Sequence, residues 1–333
     1  MKTEVLRVDP QRPEPELVAR AVTLLERGDL VVLPTETVYG LAALGDDAVA
    51  ASRIFEAKGR PAYNPLIVHV AEARDARALA ASWPAAADAL ATLWPGPLTL
   101  VVPREPSRIP DVVAGNGPTV AFRVPAHPVT LAILKALGRP LAAPSANRFQ
   151  ALSPTTAAHA RKTLDGRVAL ILDAGPCAHG IESTVVDCSS EPPSLLRPGA
   201  LPLGALRERA PTLTTRSIHA IDDREPLPSP GMLARHYAPR TRLVVVRPDA
   251  VHDALRELGP RAALVTRIPR HREAPRGATL VARLPDDAPG YGASLYATLH
   301  HLDEAGLDAI VVEAVPEDDA WLAVRDRLGR AGS

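Results

Sequence analysis

Short β-type aliphatic runs alternate with longer Ala- and Leu-rich stretches along nearly the whole chain. The short runs predict strands over Val5–Val8, Leu30–Pro34, Leu66–Val70, Leu98–Val102, Val120–Val124, Leu141–Ala143, Leu170–Asp173, Thr184–Asp187 and Ser194–Arg197. Between them, Glu16–Arg27, Asp47–Ala57, Pro84–Leu93, Pro128–Leu137 and Thr155–Leu164 predict helices, several begun by a proline that suits a first helical turn. Some neighbouring runs lie close enough for antiparallel pairing, so the expected α/β fold has a mixed sheet. Near residue 210 the pattern breaks: "PTLTTRSIHAIDDREPLPSPGMLARHYAPRT" has no period and carries five prolines, as a linker would. Alternation then resumes with Leu243–Val246, a helix to Leu258, Ala262–Thr266, Leu280–Leu284, a helix from Ser294 to Ala305, Ile310–Ala314 and a last helix. Three units are expected: 1–210, a linker over 211–240, and a small βα domain over 241–333.

Composition narrows the class. The 333 residues exceed the usual single-domain size, and 46% hydrophobic content with three Phe and three Trp implies aliphatic cores. Lys plus Arg and Asp plus Glu are 38 each, so no bulk basic field exists for nucleic acid, although a local basic groove does not conflict with this balance. Cys177 and Cys188 form neither a zinc spacing nor a disulfide framework. The start, "MKTEVLRVDPQRPEPE", has no apolar signal core and no run approaches a membrane span, so a reducing cytoplasm is the expected setting. Only four of the 38 basic residues are lysines, and one is Lys58; at a phosphate, lysine's point charge and arginine's planar fork are not interchangeable.

Candidate chemistry gathers at strand ends. In "LPTETVYGLAALGDD" a strand runs out into two hydroxyls and a carboxylate, the usual position of α/β ligand sites, though Thr35 or Thr37 alone also suits a helix N-cap. "FEAKGRPAYNPLIVHV" sets Lys58 and Arg60 two apart around a glycine that lets the backbone approach an anion. His69 lies in the following strand on the face of Ile67, either as a core histidine with a partner or as a second polar group toward the same ligand. Arg123, inside the apolar run of "TVAFRVPAHP", either pairs with a protein acid or faces a ligand carboxylate or phosphate. "PLAAPSANRFQALSPT" ends a small-residue strand in Ser145 and Asn147 and opens the next helix at Ser153; this is an ordinary polar loop or a phosphate seat. Gly180 and Ser183 in "GPCAHGIESTVVD" and Arg197 in "LLRPG" stand at turns. Walker A, G-x-G-x-x-G, H-E-x-x-H and nucleophile-elbow patterns are all missing.

Taken in order, "PTETVYGL", "KGRPAYNPLIVHV", "FRVP", "APSAN…SPT", "GIESTVVD" and "LRPG" resemble the YrdC-like threonylcarbamoyl-AMP synthases. "SPGMLARHYAP" and the trailing domain resemble the longer, two-domain form, so the likeness spans essentially the whole chain. The resemblance implies a twisted mixed sheet with helices and a concave ligand cleft, plus a smaller Rossmann-like βα domain. It implies a nucleotidyltransferase that condenses L-threonine, bicarbonate or CO2 and ATP, with Mg2+, to threonylcarbamoyl-AMP and pyrophosphate. Other proteins would then transfer the threonylcarbamoyl group to tRNA, and a weak tRNA contact by this chain fits that role. By this pattern Thr35, Thr37, His69, Arg123, the Ala143 backbone and Ser183 hold threonine. Arg60, Asn64, Thr119, Ser145, Ser153, Arg197 and His236 contact ATP, while Lys58 and Asn147 complete the Lys-x-Arg and Ser-x-Asn pairs. Lys58 and Arg60 would neutralise growing phosphate charge, and the linker would fold back as a lid. One departure is Gln150, where the family commonly has glycine. The competing readings are a non-catalytic RNA-binding module, disfavoured by zero net charge and few aromatics, and a carbamoyl-transferring maturation enzyme, whose zinc-finger and acylphosphatase-like segments are missing.

Overall fold

The computed structural model describes residues 2–215, 236–268 and 275–332. Residues 216–235, most of the expected linker and most of "SPGMLARHYAP", lie outside the described residues. In chain order the strands of the larger sheet are β1 (Glu4–Arg7), β2 (Val31–Leu33), β3 (Gly40–Leu44), β4 (Ile67–His69), β5 (Leu98–Pro103), β6 (Thr119–Arg123), β7 (Leu141–Ala142), β8 (Leu170–Asp173), β9 (Thr184–Asp187), β10 (Ser194–Arg197) and β11 (Thr214–Thr215). They lie in the order β1-β8-β2-β3-β7-β4-β6-β5-β9-β10-β11. Parallel pairs such as β4–β6 and β5–β9 alternate with antiparallel ones such as β2–β3 and β5–β6, giving the mixed sheet that the spacing predicts. Around it pack α1 (Pro15–Glu26), α2 (Ala48–Lys58), α3 (Ala73–Leu79), α4 (Ala85–Ala91), α5 (Pro128–Leu137), α6 (Ala157–Leu164) and α7 (Leu203–Arg209). The second domain is a parallel sheet of β12 (Arg242–Val246), β13 (Ala262–Arg267), β14 (Ala278–Leu284) and β15 (Ala309–Glu313) in the order β12-β15-β13-β14, with α8 (Val251–Leu258), α9 (Ala288–Glu304) and α10 (Leu322–Ala331).

Two departures from the pattern have clear local causes. Strand β3, "GLAAL", has neither alternation nor β-branched residues, yet it is wholly buried between β2 and β7, where small side chains are what fit. Helix α9 begins at Ala288 rather than Ser294: Pro289 occupies the first turn and the Asp287 carboxylate accepts from the Gly290 N–H, so a Pro-Gly pair that suggests a turn is a capped helix start. Strand β11 extends the sheet past Ala210.

The two domains share a core as well as a chain. Tyr291, Leu295, Tyr296 and Leu299 of α9 pack in one cluster with Val38, Leu152 and Ile181, which belong to loops of the larger sheet. Gly180 sits at this seam with φ +66°, and a methyl group on it would lie 2.4 Å from the Ala293 carbonyl oxygen.

Next to the seam, the rings of His159 on α6 and His300 on α9 stack 3.9 Å apart. The neighbouring charges are Lys162 and Glu304, themselves an ion pair. Burial, then the facing His300, pushes the His159 pKa down to about 4; burial also lowers that of His300. Since the folded values lie below the ordinary histidine value, the unfolded chain takes up protons first as the pH drops. Stability should therefore fall between about pH 6.5 and pH 4. Urea unfolding at pH 7 and pH 5 should show a shallower loss for His159→Gln than for the parent chain; equal losses would show that the stacked pair does not titrate in this way.

Candidate active site

Strands β4 and β6 run parallel with His69 directly in register with Arg123, so both side chains emerge on one face at the carboxyl ends of their strands. The loop after β2 brings Thr35 and Thr37 to the same place, the loop after β7 brings Ala143 and Ser145, and the turn before β9 brings Ser183. Arg60, Arg197 and His236 complete a concave cleft lined by polar side chains and partly open to solvent. Thus all six residues expected to hold threonine line one cavity, with four of those expected at ATP.

At one end Arg123 pairs with a protein acid, the first of the two alternatives that its sequence context leaves open, and is also part of the cleft wall. Its Nη2 donates to Glu36 Oε1 at 2.6 Å, while the residue still lines the cleft. Burial alone would raise the Glu36 pKa, but the Arg123 charge and hydrogen bond hold it below the usual carboxylate range. Burial, then the Arg123 charge, pushes His69 down to about 3, so its imidazole is neutral at physiological pH. The hydroxyls of Thr35 and Thr37 are 2.8 Å apart, and Thr35 Oγ1 also donates to the Val38 carbonyl at 2.6 Å. Ser183 Oγ lies 2.8 Å from Thr99 Oγ1 and accepts from Arg197 Nη2 at 3.2 Å.

The other end is cationic. Arg60 is splayed against the chain by Nη2, which donates to Asn64 Oδ1 at 2.6 Å and to the Pro65 carbonyl at 2.7 Å. Burial lowers its pKa to about 10, which still leaves it charged at neutral pH. Lys58 stands behind the cleft wall. Its ammonium donates to the Ser145 and Asn147 carbonyls at 2.5 and 2.6 Å, and burial, then Arg60, lowers its pKa well below the ordinary value. Neither Lys58 nor Arg60 has a carboxylate within ion-pair distance among the described residues. Burial of cations so placed is costly until an anion joins them. Asn64 and Asn147 brace this wall, Ser153 donates to Glu182 at 2.5 Å, and Thr119 opens β6 at the opposite end from Arg123; these four are not among the lining residues.

Several buried polar atoms around the cleft have no hydrogen-bond partner among the described residues: Glu36 Oε2, Asn64 Nδ2, His69 Nδ1, Asn147 Oδ1 and His236 Nδ1. Buried polar groups are normally satisfied, so their gathering at one cavity suits a ligand rich in donors and acceptors. His236 is held far below its usual pKa, first by burial and then by Arg60 and Lys58, and stays neutral.

The loop after Asn147 keeps the shape that a glycine would give. Gln150 has φ 65°, and its carbonyl accepts from the Ala238 N–H at 3.1 Å, tying this loop to the segment that carries His236. A left-handed residue costs roughly 1–2 kcal/mol, while glycine's extra unfolded-state entropy costs roughly 0.5–1 kcal/mol. Gln150→Gly should then change stability by less than about 1 kcal/mol, and the β-branched Gln150→Val should cost about 1–3 kcal/mol. Chemical denaturation of both variants checks this; a Val variant as stable as the parent would mean that the loop readily adopts another shape.

Thr99, Glu182 and Tyr237 belong to the site's structure but are not among the sequence candidates, and Glu36 stands among them only as the unassigned carboxylate between two threonines. Glu36 and Glu182 each sit inside a motif, flanked by the hydroxyl residues that draw attention first. Thr99 lies in an apolar strand and gives no signal. Tyr237 has φ 60°, is buried, and accepts from Arg197 Nη1 at 3.3 Å; only its neighbour His236 stands out in the sequence.

Comparison with known proteins agrees with this architecture. Residues 23–199 match the Sua5/YciO/YrdC family model, described as telomere recombination, and residues 205–333 match the threonylcarbamoyl-AMP synthase C-terminal domain. The chain is 38% identical to the threonylcarbamoyl-AMP synthase of Pyrococcus abyssi, across 96% of this chain and 95% of that one. It is also 38% identical to that of Bacillus subtilis, across 97% and 93%. The crystal structure of P. abyssi Sua5 complexed with L-threonine superposes with a TM-score of 0.90 at 37% identity, covering 100% of this chain and 98% of that one. The chain therefore belongs to the Sua5/YrdC-like threonylcarbamoyl-AMP synthase family, in its long two-domain form.

Proposed function

We propose that this chain is an L-threonylcarbamoyladenylate synthase, a nucleotidyltransferase that uses L-threonine, CO2 or bicarbonate, and ATP. The observation that carries this reading is the division of one cleft: a carboxylate-reading corner of Arg123, Glu36 and His69 at one end, and at the other Arg60, with Lys58 behind it, neither having an acid partner among the described residues. In the P. abyssi relative the bound ligand is L-threonine, which suits the first corner.

In this reading Arg123 takes the substrate carboxylate while Glu36 fixes its guanidinium. Thr37 and Ser183, with Thr35, Ala143 and His69, hold the rest of the amino acid. The amine adds to CO2, forming an N–C bond as one C=O π pair moves onto oxygen, its proton passes to solvent, and the resulting carbamate oxygen attacks the α-phosphorus. A P–O bond forms as the α–β bridging P–O bond breaks, and its electron pair leaves with pyrophosphate. Arg60, Arg197, Ser145 and His236 stand where the phosphates would lie. Lys58 fixes the Ser145–Asn147 loop from behind the wall, and with it the Ser145 hydroxyl that would meet a phosphate. Asn64, Asn147, Ser153 and Thr119 support this end. Mg2+ would be held chiefly by the triphosphate oxygens, where it would neutralise phosphate charge. Catalysis is then positioning and charge neutralisation, with no protein nucleophile. The residues over 211–240 would act as a lid between the units 1–210 and 241–333, in keeping with the presence of His236 in the cleft wall. The product would be consumed by tRNA threonylcarbamoyl-transfer proteins in the cytoplasm; no helix among the described residues is long and apolar enough to cross a membrane.

The test is pyrophosphate release. Release should require ATP, threonine and bicarbonate together, and release that is indifferent to threonine would overturn the proposal.

A further inference from the structure

Glu182 lines the cleft, yet half of its carboxylate belongs to the other domain. Oε1 accepts from Ser153 Oγ at 2.5 Å, within the first domain. Oε2 accepts from Arg327 Nε at 2.6 Å and from Tyr296 Oη at 3.1 Å, donated by α10 and α9. Arg327 has no exposed side-chain surface, and its Nη1 is held by Asp326. Its guanidinium also lies 5.1 Å from the ring of Tyr237, whose hydroxyl accepts from Arg197. The backbone bearing Glu182 is packed closely against Gly199. A methyl group on Gly199 would fall 2.3 Å from the Ser183 carbonyl carbon and 2.5 Å from the Glu182 carbonyl oxygen, so the two segments touch.

We infer that Arg327 and Tyr296, from the second domain, are positioning residues for the nucleotide end of the cleft, acting through Glu182. This rests on the proposed function. The physical route is short. The two donors fix the orientation of the Glu182 carboxylate, which fixes the Ser153 hydroxyl opposite. Burial on its own would raise the Glu182 pKa, and the Arg327 and Arg197 charges reverse that, so an anion is kept inside a wall otherwise rich in cations. His300 Nε2, 3.1 Å from the Ser153 carbonyl oxygen, fastens the same residue from the same domain. The second domain is in this sense a piece of the cleft wall.

A double-mutant cycle on ATP affinity tests the inference, with ATP and Mg2+ titrated calorimetrically into the full chain. Tyr296→Phe removes one hydroxyl and leaves the Arg327–Glu182 pair. It should weaken ATP binding by about tenfold, the scale of a hydrogen bond to a charged group, and leave threonine affinity within about threefold. In a Glu182→Gln background, where the carboxylate is already gone, Tyr296→Phe should change ATP affinity by less than about twofold. A merely structural tyrosine would weaken both ligands together and by the same factor in either background. That result, or parental ATP affinity in Tyr296→Phe, overturns the inference while leaving the function intact. A parent chain that binds neither ATP nor threonine overturns both.

Discussion

Arg123→Met should lower threonine affinity by at least about a hundredfold, because a charge-assisted pair with the substrate carboxylate is worth roughly 3 kcal/mol in a buried site. The substitution also strands Glu36, whose other oxygen already has no hydrogen-bond partner among the described residues. The variant should therefore lose stability as well, and the Glu36 pKa should rise once its cation is gone. Combining Arg123→Met with Glu36→Gln separates the two effects. The neutral pair should regain much of the lost stability, since no uncompensated charge remains, and should regain none of the binding. Calorimetry with threonine, beside thermal unfolding of both variants, gives the answer. Threonine affinity within threefold of the parent's in a folded Arg123→Met chain would remove Arg123 from the substrate site.

Valine in place of threonine should reduce turnover on the order of a thousandfold or more, since a pocket built to hydrogen-bond a hydroxyl is left with unpaired polar groups when the hydroxyl is missing. Ser183 Oγ already has Arg197 and Thr99 as neighbours, and Thr37 has Thr35, so the hydroxyls are held in place before any ligand arrives. Serine keeps the hydroxyl and loses only a methyl group, which costs about 10–200-fold in a fitted pocket. The expected order is threonine, then serine, then valine. Pyrophosphate release measured for the three amino acids at equal concentration would refute the assignment if valine matched serine.

Much of this was legible because strand ends are where short polar motifs interrupt long apolar patterns. His69 and Arg123 each stand out as a polar residue in an aliphatic strand, and parallel pairing brings them side by side. Sequence could not show that Arg123 serves an internal acid and the cleft at once, since Glu36 is distant along the chain and lies within a motif explicable by its threonines alone. Lys58 was conspicuous for its rarity, yet its position behind the wall depends on where the Ser145–Asn147 loop passes. The contribution of Arg327 was illegible: an arginine in an amphipathic C-terminal helix looks like a solvated charge until the helix is packed on another domain. β3 was hidden for the reason that it fits, its small residues carrying no periodic signal.

The contact at Gly180 bears on how such chains can be recombined. With the Ala293 backbone against its α-carbon and a left-handed φ, position 180 cannot accept a side chain unless α9 withdraws. A second domain borrowed from a relative would dock only if its α9 came equally close at that spot. A mismatch of about one ångström would be carried through Ile181 to Glu182 and Ser183, the next residues along the chain. Chimeras joined anywhere in 211–240 should then inherit their catalytic competence less from the linker than from whether the grafted α9 matches this one glycine.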